Sequence, residues 1–203
     1  MYKESVIAIS KKARSTFIML FFLIFSCALF SCDNPENEQD QVKKYFDLKG
    51  FIESQINIMD QDKPVVFKTM GIGEEQNERS SKEINWKREF ELFIQADINK
   101  PAYSQSYIIT RPDSMTYEYQ IKQGQDLPVK SLRIKLDAPG GMPIQIVAQL
   151  KSVNKLYQSE KNIEISCDVK NKNSRIKSYQ ITGFQKLVTM EKKPFMIKAI
   201  INY

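Results

Sequence analysis

Apolar positions along this chain follow three rhythms. Between residues 17 and 30 they run almost unbroken, interrupted only by Ser26. Further on, they recur at helical spacing in two places. Leu48, Phe51, Ile52, Ile56 and Met59 repeat every three to four residues and predict a helix over 47–60. Gly50 weakens that helix, and Pro64 stops it. Trp86, Phe90, Phe93 and Ile94 repeat the pattern. They predict a second helix, opened by a capping box of Ser80 and Glu83 and ended before Pro101. Between the two, 65–70 reads as a strand closed by Gly71 and Gly73, and 74–82 as an exposed loop. Gly71 and Gly73 lack the third glycine and the helix onset of a dinucleotide fingerprint, so they read as turn punctuation.

After Tyr103 the period changes to two. Strands are predicted over 106–110, 117–121, 132–136, 144–150, 163–169, 176–182, 187–190 and 195–201. Turns fall at 111–114, 123–126, 138–141 and 192–194, and a loop at 170–175. Strands so regularly spaced predict an antiparallel meander with one apolar face and one polar, basic face. The two helices have apolar faces to bury. The expected fold is therefore α+β, with two N-terminal helices packed on a curled antiparallel β-meander sheet.

The unbroken apolar run changes the picture of where the chain goes. Its 14 residues are too few to span a bilayer, which needs about 20. Preceded by Lys11, Lys12 and Arg14, it fits the hydrophobic part of an export signal. It ends in Leu29-Phe30-Ser31-Cys32, which resembles the lipobox of bacterial lipoproteins, although Phe30 is bulkier than the usual residue there. The resemblance implies diacylglycerol on the Cys32 sulfur, cleavage before Cys32 and acylation of the new amino terminus. A second box ends at Cys27, but Ala28-Leu29-Phe30 after it is apolar, whereas Cys32 is followed by the polar run DNPENEQD. The expected organisation is a signal peptide over 1–31, a lipidated cysteine with a flexible acidic tether over 32–44, and one α+β domain over 45–203. Several acyl chains hold a protein to a membrane stably where one does so only marginally.

Without residues 1–31 the chain keeps 26 bases against 23 acids. The distribution is uneven. Residues 41–129 carry 12 bases and 14 acids, and residues 130–203 carry 14 bases and 5 acids. A basic half suits an anionic lipid, a glycan or an acidic envelope protein. Nucleic acid is not an expected partner of an exported protein.

Candidate chemistry is narrowed mostly by exclusion. The chain has no histidine, which removes serine–histidine and cysteine–histidine catalysis, histidine-bound zinc and histidine-bound haem. Once Cys32 is lipidated, Cys167 has no thiol partner. Its alternation with Ile163, Ile165 and Val169 predicts a buried small hydrophobe. No phosphate loop, cofactor motif or metal-ligand cluster is present, and no cofactor is expected. Paired carboxylates could still hydrolyse a glycan, with Glu74, Glu75, Asp97 and Glu118 as the acids available. Solvated surface is the simpler reading of those four.

The candidate binding residues are Trp86, Asp97, Asn99, Lys100, Arg133 and Lys135. Trp86 reads first as a core anchor and second as a ligand platform. Asp97 and Asn99 could offer oxygens to a hard cation, though a helix end with a proline-fixed turn explains the run 97–103 more simply. Arg133 and Lys135 represent the basic strand face.

Trp86, Phe90 and Phe93, the run 97–103, Leu156-Tyr157 and the run 179–186 look similar to envelope lipoproteins of Bacteroidota. The acidic stretch after Cys32 resembles the surface-export signal of that group. The resemblance implies a lipid-anchored location in the bacterial cell envelope, at the outer membrane on its periplasmic or surface side. It brings no activity with it. The expectation is a membrane-anchored, non-catalytic binding or assembly module, against a carboxylate glycan enzyme or a structural spacer.

Overall fold

Backbone pairing, more than helix packing, organises this protein. The computed structural model describes residues 43–203 apart from Met190, so Cys27, Cys32 and the lipobox lie outside the described residues. Lys43–Tyr203 form one compact unit. Its elements are α1 (Leu48–Asp62), β1 (Val65–Ile72), β2 (Glu75–Ser81), α2 (Trp86–Glu89), α3 (Glu91–Gln95) and a 3-10 turn (Pro101–Tyr103). Seven strands follow: β3 (Tyr107–Thr110), β4 (Thr116–Ile121), β5 (Val129–Leu136), β6 (Pro143–Val153), β7 (Tyr157–Lys170), β8 (Asn173–Leu187) and β9 (Lys193–Asn202).

All nine strands make one sheet in the order β2-β1-β9-β8-β7-β6-β5-β4-β3, and every neighbouring pair is antiparallel. From β3 to β9 each strand lies beside the next, as the period-two pattern predicts. The last strand then offers its free edge to the first: Val65 pairs with Asn202, and Ile72 with Phe195.

Local chemistry sets the element ends. Asp47 caps α1 by accepting the Gly50 N–H at 3.0 Å. A Cβ on residue 50 would lie 2.3 Å from the Asp47 carboxylate. The glycine that weakens α1 in propensity is thus what leaves room for its cap. Lys63, left-handed at φ 45°, ends the helix.

Several expectations about the elements are corrected. Residues 74–82 are not a loop: β2 occupies most of them and pairs with β1 from Val66↔Ser81 to Ile72↔Glu75. It lies at the sheet edge with almost every residue exposed, so no apolar alternation marked it. Ser80 and Glu83 form no capping box, because Ser80 is in β2; Asn85 caps α2 by accepting the Arg88 N–H at 3.0 Å. The second helix breaks at Phe90 into α2 and α3. The loop 170–175 shrinks to a turn at Asn171 and Lys172, both at positive φ, as a tight hairpin of primed type requires. Of the strand expected over 187–190, Leu187 ends β8, which runs unbroken through Gly183, Val188 and Thr189 turn, and Met190 lies outside the described residues.

One face of the sheet carries Leu132, Ile134, Ile146, Ile163, Ile165 and Tyr179, which join Leu48, Ile52 and Met59 of α1 and Phe90 and Phe93 in one buried cluster. Burying each such side chain contributes about 1.5–3 kcal/mol. Gln55 of α1 reaches the sheet where the register of β7 and β8 slips at Lys177. Its side chain donates to the Ser174 carbonyl at 2.8 Å and accepts the Ile176 N–H at 3.0 Å. A buried amide thus satisfies the main chain that the slip leaves over.

The opposite face is polar but not basic. Register places Glu118, Arg133, Val147, Glu164, Gln180, Lys198, Thr69 and Glu78 in one row across eight strands. That row holds three acids and two bases. The basic excess of 130–203 lies instead mainly at the strand ends, where Lys151, Lys155, Lys170, Lys172, Lys186, Lys192 and Lys193 are exposed.

Candidate functional site

The six residues singled out from the sequence fall into two groups on opposite sides of the sheet. Trp86 belongs to the core. It is 3% exposed and stacks on Phe90, with ring centroids 6.0 Å apart. Phe90 and Phe93 in turn meet the Tyr179 ring edge-on, at 5.3 and 5.9 Å.

Asp97 and Asn99 follow α3 and face the segment that leads into α1. Asn99 Oδ1 accepts the Tyr45 N–H at 3.0 Å, and Nδ2 donates to the carbonyls of Tyr45 and Phe46 at 3.3 and 2.9 Å. Asp97 accepts the Asn99 N–H at 3.2 Å and also its side-chain amide. Burial pushes the Asp97 carboxyl above its usual range, against the pull of its bonds to Asn99. These oxygens are occupied in fixing Tyr45, whose ring meets Tyr107 and Tyr119 edge-on at 5.8 and 5.6 Å. The pair holds the entry of α1. Lys100 points away, with its ammonium 5.3 Å from the Tyr103 ring centre.

A second polar cluster on the helix side had no sequence signal. Glu89 of α2 accepts from Lys68 of β1 at 2.5 Å and from the Tyr179 hydroxyl of β8. Burial, then the bond to Glu89 and its charge, push the Tyr179 hydroxyl far above its ordinary range. The three groups satisfy one another and clamp α2 to strands from both ends of the chain. Only the fold brings together residues so far apart in sequence.

Arg133 and Lys135 lie on the solvent face. Arg133 meets Glu118 across β4 and β5 at 3.2 Å, both largely exposed, a pairing of small energetic weight. Lys135 sits opposite Thr116 and Gln145. The same face has two hollows. One, of about 390 Å³, is lined by Gln120, Asp126, Lys130, Gln149, Lys151 and Glu160. The other, of about 450 Å³, lies over β2, β1 and β9. Phe67 and Ile200 form its floor, directly paired and 49% and 45% exposed, with Arg79, Lys198 and Glu78 around them. The continuous apolar run of Val65, Val66 and Phe67 hid the fact that Val66 turns inward and Phe67 outward.

The four carboxylates available to a hydrolase are not brought together. Glu74 and Glu75 lie at the tip of the β1–β2 hairpin, Asp97 is buried behind α3, and Glu118 is paired with Arg133 on β4. Six strands separate β2 from β4. Cys167 is buried on the apolar face, as its alternation predicts, and burial pushes its thiol up to about 11. Among the described residues no three histidine, cysteine or carboxylate side chains group as metal ligands, and no helix is long and apolar enough to cross a membrane. Comparison with family models, curated proteins and solved structures found no match to this chain.

Proposed function

We propose that this protein is a lipid-anchored, non-catalytic lipoprotein of the bacterial cell envelope. In this reading its helices pack on a curled sheet, and the solvent face of that sheet receives an envelope partner. The anchoring half rests on the lipobox that ends at Cys32. The binding half rests on one observation, the exposed Phe67–Ile200 pair with Lys198 and Glu78 beside it on the same face. An apolar floor with a rim of mixed charge suits a partner that has an apolar group beside polar ones. The same face suits an amphipathic ligand. The space between helices and sheet is filled by Leu48, Ile52, Met59, Phe90 and Phe93, each fully buried, which favours a partner outside that core.

Two experiments test the two halves. The full chain, produced in a diderm bacterium fed a clickable palmitate, is expected to take up label. Cys32→Ala should abolish the label and Cys27→Ala should not. Label that survives Cys32→Ala removes the anchoring half. A photoreactive residue at Phe67 should give a discrete crosslinked adduct in cells, while one at Asp113, at the far edge of the sheet, should give none. Equal adducts at both sites, or none, would leave the spacer reading in place.

A further inference from the structure

The solvent-face hollow is not the only apolar surface open to water. The ends of the β6–β7 and β8–β9 hairpins lie side by side: Tyr157 pairs with Leu187, and the Val188 N–H donates to the Leu156 carbonyl at 3.1 Å. This contact gathers Val153, Leu156, Leu187 and Val188, which are 61%, 74%, 40% and 69% exposed. The loop between β6 and β7 is held in shape. Asn154 Oδ1 accepts the N–H groups of Leu156 and Tyr157 at 2.8 and 2.9 Å.

These two hairpin ends carry an excess of positive charge, with Glu74 and Glu75 of the β1–β2 hairpin and Asp126 farther along the same end of the sheet. Lys151, Lys155, Lys186, Lys192 and Lys193 are all exposed on these two hairpin ends, and Glu191 is the one acid in their loops. The Lys192 ammonium lies 3.7 Å from the Phe184 ring centre, which keeps it beside the tip.

The chain enters the described unit at the same end of the strands. Lys44 and the Tyr45 hydroxyl donate to the Ser104 carbonyl at 2.7 and 2.9 Å. Ser104 precedes Tyr107, the first residue of β3, which pairs with Ile121 at the end of β4. Register carries this end through Val129↔Leu150 to Val153. Between Cys32 and Lys43, a tether fully extended at about 3.3–3.6 Å per residue reaches less than about 40 Å.

We propose that this end of the sheet is a membrane-contact surface, with Leu156 and Val188 entering the boundary between headgroups and acyl chains and the lysines meeting anionic lipid headgroups. An apolar tip alone would suit many partners. The lysine rim selects an anionic one and disfavours a second copy of the chain, whose own lysines would face it. The inference goes beyond the anchoring reading, since it gives the folded unit an affinity for membrane without any acyl chain.

The unit Lys43–Tyr203 carries its own buried core, so it can be made without the lipobox. Its sedimentation with vesicles of phosphatidylglycerol and phosphatidylethanolamine is compared with vesicles of phosphatidylcholine alone. Binding is expected to the anionic vesicles, weakening as salt rises. Combined Lys155→Gln, Lys186→Gln and Lys192→Gln should lower affinity about a hundredfold, at about fivefold per lysine. Leu156→Asn with Val188→Asn should weaken binding while leaving its salt dependence. Leu156→Trp should shift its emission to the blue on anionic vesicles, against a steady background from buried Trp86. Failure to bind anionic vesicles at low salt, or binding untouched by both sets of changes, overturns the proposal. So does a dimer in solution that the Leu156 and Val188 changes dissolve, which would assign the tip to a second copy. Because Cys32 is absent, none of these outcomes depends on lipidation.

Discussion

The side chain of Asn99 bonds the main chain of Tyr45 in both directions, accepting its N–H at 3.0 Å and donating to its carbonyl at 3.3 Å. The contact spans 54 positions in sequence and fixes the backbone just ahead of α1. Asn99→Ala would leave those groups unpaired in a partly buried site, and each lost partner there costs about 1–3 kcal/mol. Urea unfolding should show a loss of roughly 2–4 kcal/mol. Hydrogen exchange of the Tyr45 amide should quicken more than that of core strands such as β7.

Tyr179 makes the protein sensitive to alkali. Its folded hydroxyl is held neutral by burial and by Glu89, while a tyrosine in the unfolded chain ionises near pH 10. A raised folded value means this contribution is complete below about pH 10 and is lost as pH rises further. Burial shifts Tyr203 in the same direction, to about 12. Tyr179→Phe should cost about 1–2 kcal/mol at neutral pH through the lost bond to Glu89. It should also flatten the fall in stability above pH 10 by up to about 1.4 kcal/mol per pH unit. Denaturant titrations on both sides of pH 10 check the slope, and equal slopes for the two proteins would refute the assignment.

Cys167 should be silent toward thiol reagents in the folded state. It is 9% exposed, and its thiol is pushed up to about 11 by burial. At mildly alkaline pH an aromatic disulfide reagent should modify the folded Lys43–Tyr203 unit only at its rate of opening, and at once in denaturant. Rapid native labelling would place Cys167 outside the core.

Gly183 is the glycine of β8 that sequence would treat as a weak point. A Cβ there would meet the Glu160 carbonyl oxygen at 2.2 Å. Gly183→Ala should therefore cost about 1–3 kcal/mol by forcing β7 and β8 apart, where a solvent-facing strand glycine would gain from the change. Thermal unfolding of the two proteins decides between these signs.

Much of the sheet was legible because its core strands alternate. Leu132, Ile134 and Leu136 mark β5, and Ile163, Ile165 and Cys167 mark β7, through inward positions two residues apart. The same rule fails for β2, since an edge strand with no buried face has nothing to alternate. It divides β8 wrongly at Gly183, where close backbone approach replaces a side chain. Of the candidate residues, Trp86 could be read as core from its helical spacing with Phe90. The roles of Asp97 and Asn99 could not, because Asn99 bonds the backbone of Tyr45 and Asp97 holds Asn99, and main-chain groups leave no trace in a residue pattern. Arg133 and Lys135 were read as a basic face, but cross-strand neighbours such as Glu118 lie far away in sequence and balance the charge.

The place of β9 between β1 and β8 makes the sheet a record of completeness. A chain that stops short of 195 has no strand to receive the β1–β2 hairpin. Phe67 then has no Ile200 beside it, and the hollow they floor does not exist. The pairing of β1 with β9 joins segments more than 120 residues apart, and such long-range pairing forms slowly. The hollow is therefore completed only when β9 is in place beside β1.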